Sequence, residues 1–162
     1  MTSLERRVAH RIRLRTVALV TAAIVLLSAA LTACGGSSIR PAQLQSSISA
    51  TFARLYVRQQ VLEGNQQPSV TGLQARAVCQ KGTRSTEQSG AGDDWVCRIT
   101  FSVTAAAPQV TALYNVDVET DGCYAADGVG PVSVNGVRTI TGPGNEQRLN
   151  PLWLIDGCFD VG

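Results

Sequence analysis

Four cysteines have the type and number of residues that form covalent bridges or metal sites. They are Cys79, Cys97, Cys123 and Cys158. Paired thiols form disulfides, bind zinc as thiolates or act as a redox dithiol. Zinc sites and redox dithiols use close pairs such as Cys-x-x-Cys, and no two of these cysteines are that close. We therefore predict two disulfides and no metal site.

The pairing that we favour is Cys79 with Cys97 and Cys123 with Cys158, although four cysteines allow three connectivities. Cys79 ends one predicted strand, and Cys97 lies near the start of the next strand, across a polar loop rich in glycine and serine. In the chain-entropy model the first bridge contributes about 3 kcal/mol and the second about 4 kcal/mol.

Acidic side chains offer a second candidate chemistry. Asp117, Glu119 and Asp121 alternate along a predicted strand, and with Asp127 they could hold a calcium ion or act as paired acids. A solvated strand face explains the same alternation, which is a weak motif by itself. We favour the solvated face, and we predict no catalytic residue and no cofactor.

Two tryptophans, Trp95 and Trp153, could stack a sugar or a peptide, but a domain with only three phenylalanines needs them for its core. The glycine-rich segments 128–131 and 142–144 lack the Lys-Ser/Thr ending of a phosphate loop. We interpret both segments as turns.

The first 33 residues have the pattern of an export signal, because five arginines precede the uncharged stretch 17–33. This stretch is slightly shorter than the roughly 18 residues of a spanning helix, and its small terminal residues favour cleavage. An uncleaved single-span anchor is the alternative. In both cases the remaining chain is expected outside the cytoplasm, where an even number of cysteines favours disulfides.

The apolar stretch ends in Leu31-Thr32-Ala33-Cys34, an aliphatic residue followed by two small residues and a cysteine. This segment resembles the lipobox of bacterial lipoproteins, and the whole chain resembles small envelope lipoproteins of high-GC Gram-positive bacteria. The resemblance implies cleavage before Cys34 and a diacylglyceryl thioether on its sulfur. Two acyl chains give stable anchoring, so we expect the protein on the cell membrane, facing outward.

The charge balance changes once residues 1–33 are set aside. Removing five of the 14 basic and one of the 12 acidic side chains leaves nine and eleven, and the single histidine, His10, is removed as well. Without a basic stripe we expect no nucleic-acid partner. Without histidine, Ser-His-Asp catalysis and histidine-ligated metals are excluded from this part of the chain.

The elements that position these residues begin with a helix predicted over Pro41 to Glu63, between a proline in its first turn and Gly64-Asn65. Gln59 falls among its polar positions. The expected apolar stripe is Leu44, Ile48, Phe52, Leu55 and Leu62.

Alternation of apolar and polar residues predicts strands over Trp95–Val103 and around Tyr114–Val118, joined as a hairpin through residues 105–109, with a weaker strand over Leu73–Cys79. Asn135-Gly136 predicts a second hairpin within Val132–Ile140. The segment after Asn150-Pro151 fits either a helical turn or an edge strand.

Together these elements predict an α+β fold, in which one N-terminal amphipathic helix packs on an antiparallel β-meander with two disulfides. The expected organisation is a signal peptide over 1–33, the lipidated Cys34 with a tether to residue 40, and a single domain over 41–162. We expect a non-catalytic module that binds an envelope protein, glycan or lipid. A carboxylate-dependent envelope enzyme is the alternative.

Overall fold

The computed structural model describes residues 39–82, 88–104 and 106–161. Its first element is helix α1, Pro41–Glu63, which has the predicted bounds. The helix begins after extended Arg40, whose backbone N–H donates to Gln43 Oε1 at 2.8 Å. It ends at Gly64, which adopts a left-handed backbone with φ of 76° that glycine accepts without a steric penalty.

Seven strands follow the helix in the described part of the chain. They are β1 Arg76–Lys81, β2 Gly92–Phe101, β3 Val110–Val118, β4 Cys123–Gly130, β5 Thr139–Thr141, β6 Gln147–Leu149 and β7 Leu154–Cys158. The main sheet is antiparallel throughout and has the strand order β1-β2-β3-β4-β7. A separate two-stranded hairpin is formed by β5 and β6. The fold is therefore the predicted helix on an antiparallel sheet.

Strands β2 and β3 confirm the predicted alternation and the predicted hairpin between them. Their inward-facing side chains are buried beneath α1, whereas Val103 lies past the end of β2 and is exposed. One helix-covered face and one solvated face are what an alternating antiparallel strand requires. The buried side chains at the predicted inward positions are Cys97, Ile99, Phe101, Tyr114, Val116 and Val118.

The second hairpin lies elsewhere than predicted. Its strands, β5 and β6, are joined through Pro143–Asn145, and Asn135-Gly136 belongs to a turn whose N–H groups donate to the Pro131 carbonyl. Asn135 is fully buried, and its Nδ2 donates to the Leu113 carbonyl at 2.7 Å. This contact with β3 outweighs the local preference of Asn-Gly for a hairpin tip.

The predicted turn over 128–131 is also wrong in part, because residues up to Gly130 belong to β4. A Cβ at Gly128 would lie 2.4 Å from the Asn135 carbonyl oxygen. The glycine is needed for this close approach of two backbones, not for a turn. Residues 142–144 do lie in the turn between β5 and β6.

The C-terminal segment forms an edge strand, which is one of the two alternatives that the sequence left open, and a turn precedes it. Residues 151–153 form a turn, and the edge strand β7 follows at once. Asn150 Oδ1 accepts the Leu152 N–H at 2.9 Å and so holds the turn. A short side chain that bonds the backbone two residues later commonly starts such turns.

The sheet curves around α1. Ser49 Oγ accepts the Ala77 N–H of β1 at 2.8 Å, and Ser47 Oγ donates to the Cys158 carbonyl of β7 at 3.2 Å. A flat five-stranded sheet would hold its two edges about 19 Å apart. Because serines two residues apart on one helix reach both edges, the sheet must wrap the helix.

Ile39 packs as part of the domain, although the predicted tether spans residues 34–40. Its side chain is fully buried in the core, and its carbonyl accepts the Gly90 N–H at 2.9 Å. The other tether residues up to Ser38, including Cys34, lie outside the described residues.

Candidate functional site

Both predicted disulfides are present, as Cys79–Cys97 and Cys123–Cys158. Each joins two residues that are direct register partners on neighbouring strands, β1 with β2 and β4 with β7. The first bridge is buried under the helix, and the second lies on the solvent-facing side of the sheet, where Cys158 is exposed. These four cysteines therefore link strands covalently.

The acidic candidates do not converge. β3 ends at Val118, so only Asp117 of the predicted alternating set lies in that strand, while Glu119 and Asp121 lie in the turn before β4. Asp121 Oδ1 accepts the Cys123 N–H at 2.9 Å. Asp127 is exposed on β4, and no group of three or more potential ligands within the described ranges could hold a metal ion.

The two tryptophans differ in role. Trp95 is a core residue, as predicted: it is fully buried, and its Nε1–H donates to the Gly90 carbonyl at 3.1 Å. Trp153 is only half-buried and lines a surface groove. Assigning Trp153 to the core was wrong, because the turn after Asn150 carries it to the rim of the sheet.

The groove lies between the second half of α1 and the segment from Leu149 to Asp156. It has a volume of about 440 Å³, and its walls are largely apolar. Leu149 is 68% exposed and Leu154 is 51% exposed, an unusual degree of exposure for leucines that share one surface groove. The groove is lined by Leu55, Arg58, Leu62, Arg138, Leu149, Asn150, Pro151, Trp153, Leu154 and Asp156.

Two arginines, Arg58 and Arg138, bring positive charge to this groove. Neither forms an ion pair in the described part of the chain, where the ion pairs join Lys81 to Asp94 and Arg148 to Glu146. A free guanidinium presents a planar fork of donors that suits a carboxylate or a phosphate. The groove therefore combines apolar surface with two unpaired cations.

A buried amide pair holds the two walls of the groove together. Gln59 Nε2 donates to the Val134 carbonyl at 2.7 Å and to Asn150 Oδ1 at 3.0 Å. Asn150 Nδ2 donates to the carbonyls of Val134 at 3.0 Å and Val137 at 2.9 Å. Each amide is thus bonded to backbone as well as to its partner, so the pair ties α1 to the turn that carries Trp153.

Sequence reasoning missed this site. The sequence predicts Gln59 on the polar face of the helix, but it is 1% exposed. Its Nε2 donates two hydrogen bonds, whereas its Oε1 has no partner among the described residues. The sequence predicts Leu55 and Leu62 in the buried stripe, but both are half-buried groove residues. Tyr56 and Gln59 instead continue the buried side of the helix. A usable signal was the offset of Leu55 and Leu62 from the four-residue steps of Leu44, Ile48 and Phe52.

Comparison with known proteins found no match to this chain among protein-family models, curated proteins or solved structures. Within the described ranges, no helix combines the length and the apolar character needed to cross a bilayer.

Proposed function

We propose that this protein is a lipoprotein of the cell membrane, anchored through Cys34 and facing outside the cytoplasm, which binds an envelope partner and catalyses no reaction. The groove carries this proposal, because it offers exposed leucines and two unpaired arginines on one surface. The lipobox-like segment 31–34 supports the anchor. The two disulfides support an oxidising compartment.

The groove lies far along α1 from the first described residues. Ile39, just before the helix, is a core residue. Helix α1 rises about 1.5 Å per residue, which places Arg58 about 25 Å along the axis from Pro41. The groove is therefore near the end of α1 that is farther from Ile39.

The composition of the groove supports binding over the carboxylate-dependent catalysis that we kept as the alternative. Glycosidase-type chemistry uses two carboxylates about 5 to 10 Å apart. Among the described residues that line the groove, Asp156 is the single carboxylate. The other charged groups of the groove are the guanidiniums of Arg58 and Arg138, which can orient and hold a ligand.

Site-specific photo-crosslinking in the native envelope tests this function. A benzophenone amino acid at Leu149, which is 68% exposed in the groove, should give a discrete cross-linked product. The matched control is Val78, 63% exposed on β1 and away from the groove. The product should be lost in an Arg58→Gln/Arg138→Gln background. Equal labelling from both positions, or none from Leu149, would argue against a partner in the groove.

A further inference from the structure

The unpaired main chain of β7 indicates what kind of partner the groove takes. In an antiparallel pair, alternate residues point their N–H and C=O away from the neighbouring strand. The Gly128 N–H donates to the Trp153 carbonyl at 2.8 Å, and Cys123 and Cys158 are a close pair with Cα atoms 3.9 Å apart. Gly128 and Trp153 are therefore a hydrogen-bonded pair, and Cys123 and Cys158 are a non-hydrogen-bonded pair. Because the two kinds of pair alternate along the strands, Leu154 and Asp156 point their N–H and C=O groups toward the free edge.

Side chains of α1 cover the other parts of both sheet edges. On β1, Ser49 Oγ accepts the Ala77 N–H and Gln45 Nε2 donates to the Cys79 carbonyl at 3.3 Å. On β7, Ser47 Oγ donates to the Cys158 carbonyl. An uncovered edge is a template for another strand, which proteins usually blunt.

The stretch from Leu154 to Asp156 is the part of β7 that α1 leaves open. Across residues 39–82, 88–104 and 106–161, no side chain or backbone group bonds to the outward N–H and C=O of Leu154 and Asp156. Both residues also line the groove. Unpaired strand hydrogen-bonding groups, apolar walls and cations therefore meet at one place.

We propose that the groove binds an extended peptide segment of another envelope protein, which pairs with β7 as a sixth strand of the sheet. Alternate apolar side chains of this segment pack against Leu55, Leu62 and Trp153, and its carboxylates bind Arg58 and Arg138. The open edge accommodates pairing over about three residues. This inference rests on the proposed function, because it names the partner of the same groove.

Charge and hydrogen bonding favour this occupant over others. An acyl chain or a glycan cannot supply N–H and C=O groups at the spacing of a strand. A second copy of this chain could, but pairing of two β7 edges would bring two Asp156 carboxylates onto the same face of the joined sheet and leave Arg58 and Arg138 without anions. A strand with alternating apolar side chains and at least one carboxylate can bond to the open backbone groups of β7 and also bind the two arginines.

Peptide selection on the full chain, purified in detergent, tests the proposal. The probe is a phage-displayed library of random seven-residue peptides. We expect enrichment of sequences in which apolar residues alternate and at least one position is acidic. A selected peptide is then synthesised in two forms, one N-methylated at its odd-numbered residues and one at its even-numbered residues. Only one of the two forms should lose binding, because only every second N–H of the peptide points toward β7. Binding that tolerates both methylation patterns would overturn strand addition.

Two substitutions at Asp156 separate the backbone from the side chain. Asp156→Ala keeps the outward N–H and should bind the selected peptide at least as well as the original protein. Asp156→Pro removes that N–H, which donates to no acceptor among the described residues, and proline is tolerated on such an edge. The affinity of Asp156→Pro should be about tenfold lower than that of Asp156→Ala. Equal affinities for the two variants would overturn the proposal.

Amide hydrogen exchange tests the same pairing in the unsubstituted protein, and it does not depend on whether the proline variant folds. In the unsubstituted protein, exchange at Leu154 and Asp156 should slow at least about tenfold when the peptide binds, because both amides gain acceptors. Unchanged exchange at a saturating peptide concentration would overturn the proposal.

Arginine variants test the charge complementarity. Arg58→Gln and Arg138→Gln should each weaken an acidic peptide about two- to fivefold and leave its uncharged analogue unaffected. Arg54→Gln is the matched control, because Arg54 lies one turn earlier on α1 and donates to Thr51 Oγ1. Equal loss in all three variants would argue against a specific role for the groove arginines.

The two proposals fail differently. A cross-linked partner at Leu149 together with peptides insensitive to N-methylation would leave the binding function standing and refute the sixth strand. Sedimentation that shows a dimer abolished by Asp156→Pro would assign the edge to a second copy and also refute it.

Discussion

At the scale of single residues, Phe52 is the centre of the core. It is fully buried, and its ring centroid lies 4.9 Å from that of Phe101 and 6.3 Å from that of Tyr114. These contacts join the middle of α1 to β2 and β3. Close-packed aromatic clusters of this kind lose both transfer and packing energy when one ring is removed.

Phe52→Ala should lower the free energy of unfolding by about 3 to 5 kcal/mol, measured by urea denaturation. Leu55→Ala is the control, because Leu55 is on the same helix but half-buried in the groove; its loss should be about 1 kcal/mol. A loss below about 1 kcal/mol for Phe52→Ala would contradict the packing described here.

Tyr114 gives the fold a pH dependence. Its hydroxyl donates to the Leu152 carbonyl at 3.0 Å and is fully buried. Burial raises the pKa of Tyr114 far above its ordinary value, and the nearby side-chain amide of Asn135 opposes this only in part. The folded protein therefore retains a proton that the unfolded chain releases near pH 10.

Because the folded-state pKa of Tyr114 is the higher one, its contribution to stability is complete below about pH 10 and declines above it, by at most about 1.4 kcal/mol per pH unit. Urea denaturation between pH 8 and 11 should show this decline, and Tyr114→Phe should show a shallower one. Parallel curves for the two proteins would mean that Tyr114 titrates equally in both states.

At the scale of elements, α1 does more than cover the sheet. Its serines and glutamines bond to the edges of β1 and β7, and its aromatic residues fill the space enclosed by the curved sheet. The disulfides strengthen the same two edges, since one joins β1 to β2 and the other joins β7 to β4. Edge strands with one hydrogen-bonded neighbour are the first to separate from a sheet.

Removing the Cys123–Cys158 bridge, which closes a separation of 35 residues, should cost about 4 kcal/mol of loop-closure stabilisation in the double variant Cys123→Ala/Cys158→Ala. The single variant Cys123→Ala should be worse, because the thiol of Cys158 is left free to cross-link or to mispair with Cys79 or Cys97. Urea denaturation of the two variants measures the difference.

Non-reducing peptide mapping provides the control for that experiment. It should link the segment around Tyr124 to the segment around Phe159, and protein from the envelope should show no free thiol from the four paired cysteines. A bridge between Cys79 and Cys158, or four free thiols that bind zinc, would contradict the pairing.

At the scale of the whole molecule, the expected anchor decides where the groove operates. Cys34→Ala should abolish labelling by radioactive palmitate and leave an unprocessed precursor, because the thioether needs the sulfur. Ser37→Ala, which leaves the lipobox-like segment intact, should be labelled and processed normally. Labelling that persists in Cys34→Ala would refute the assignment of the lipid anchor to Cys34.

The sequence by itself determined the features that depend on neighbours along the chain. The bounds of α1 follow from Pro41, the helical repeat of apolar residues and Gly64, all within one segment. The alternation in β2 and β3 is likewise local. The polar loop between the first two predicted strands favoured Cys79 with Cys97, and this choice left Cys123 to pair with Cys158. These features hold because local conformational preference and tertiary packing agree.

Only the tertiary structure determined the burial and conformation of residues whose contact partners are distant in sequence. Gln59 is buried because it meets Val134, 75 residues away, and Asn150, 91 residues away. Asn135-Gly136 does not form the predicted hairpin turn, because the Asn135 side chain donates a hydrogen bond to the Leu113 carbonyl. The groove exists because a curved sheet brings one open edge beside a helix, and no local pattern encodes which part of that edge the helix leaves uncovered.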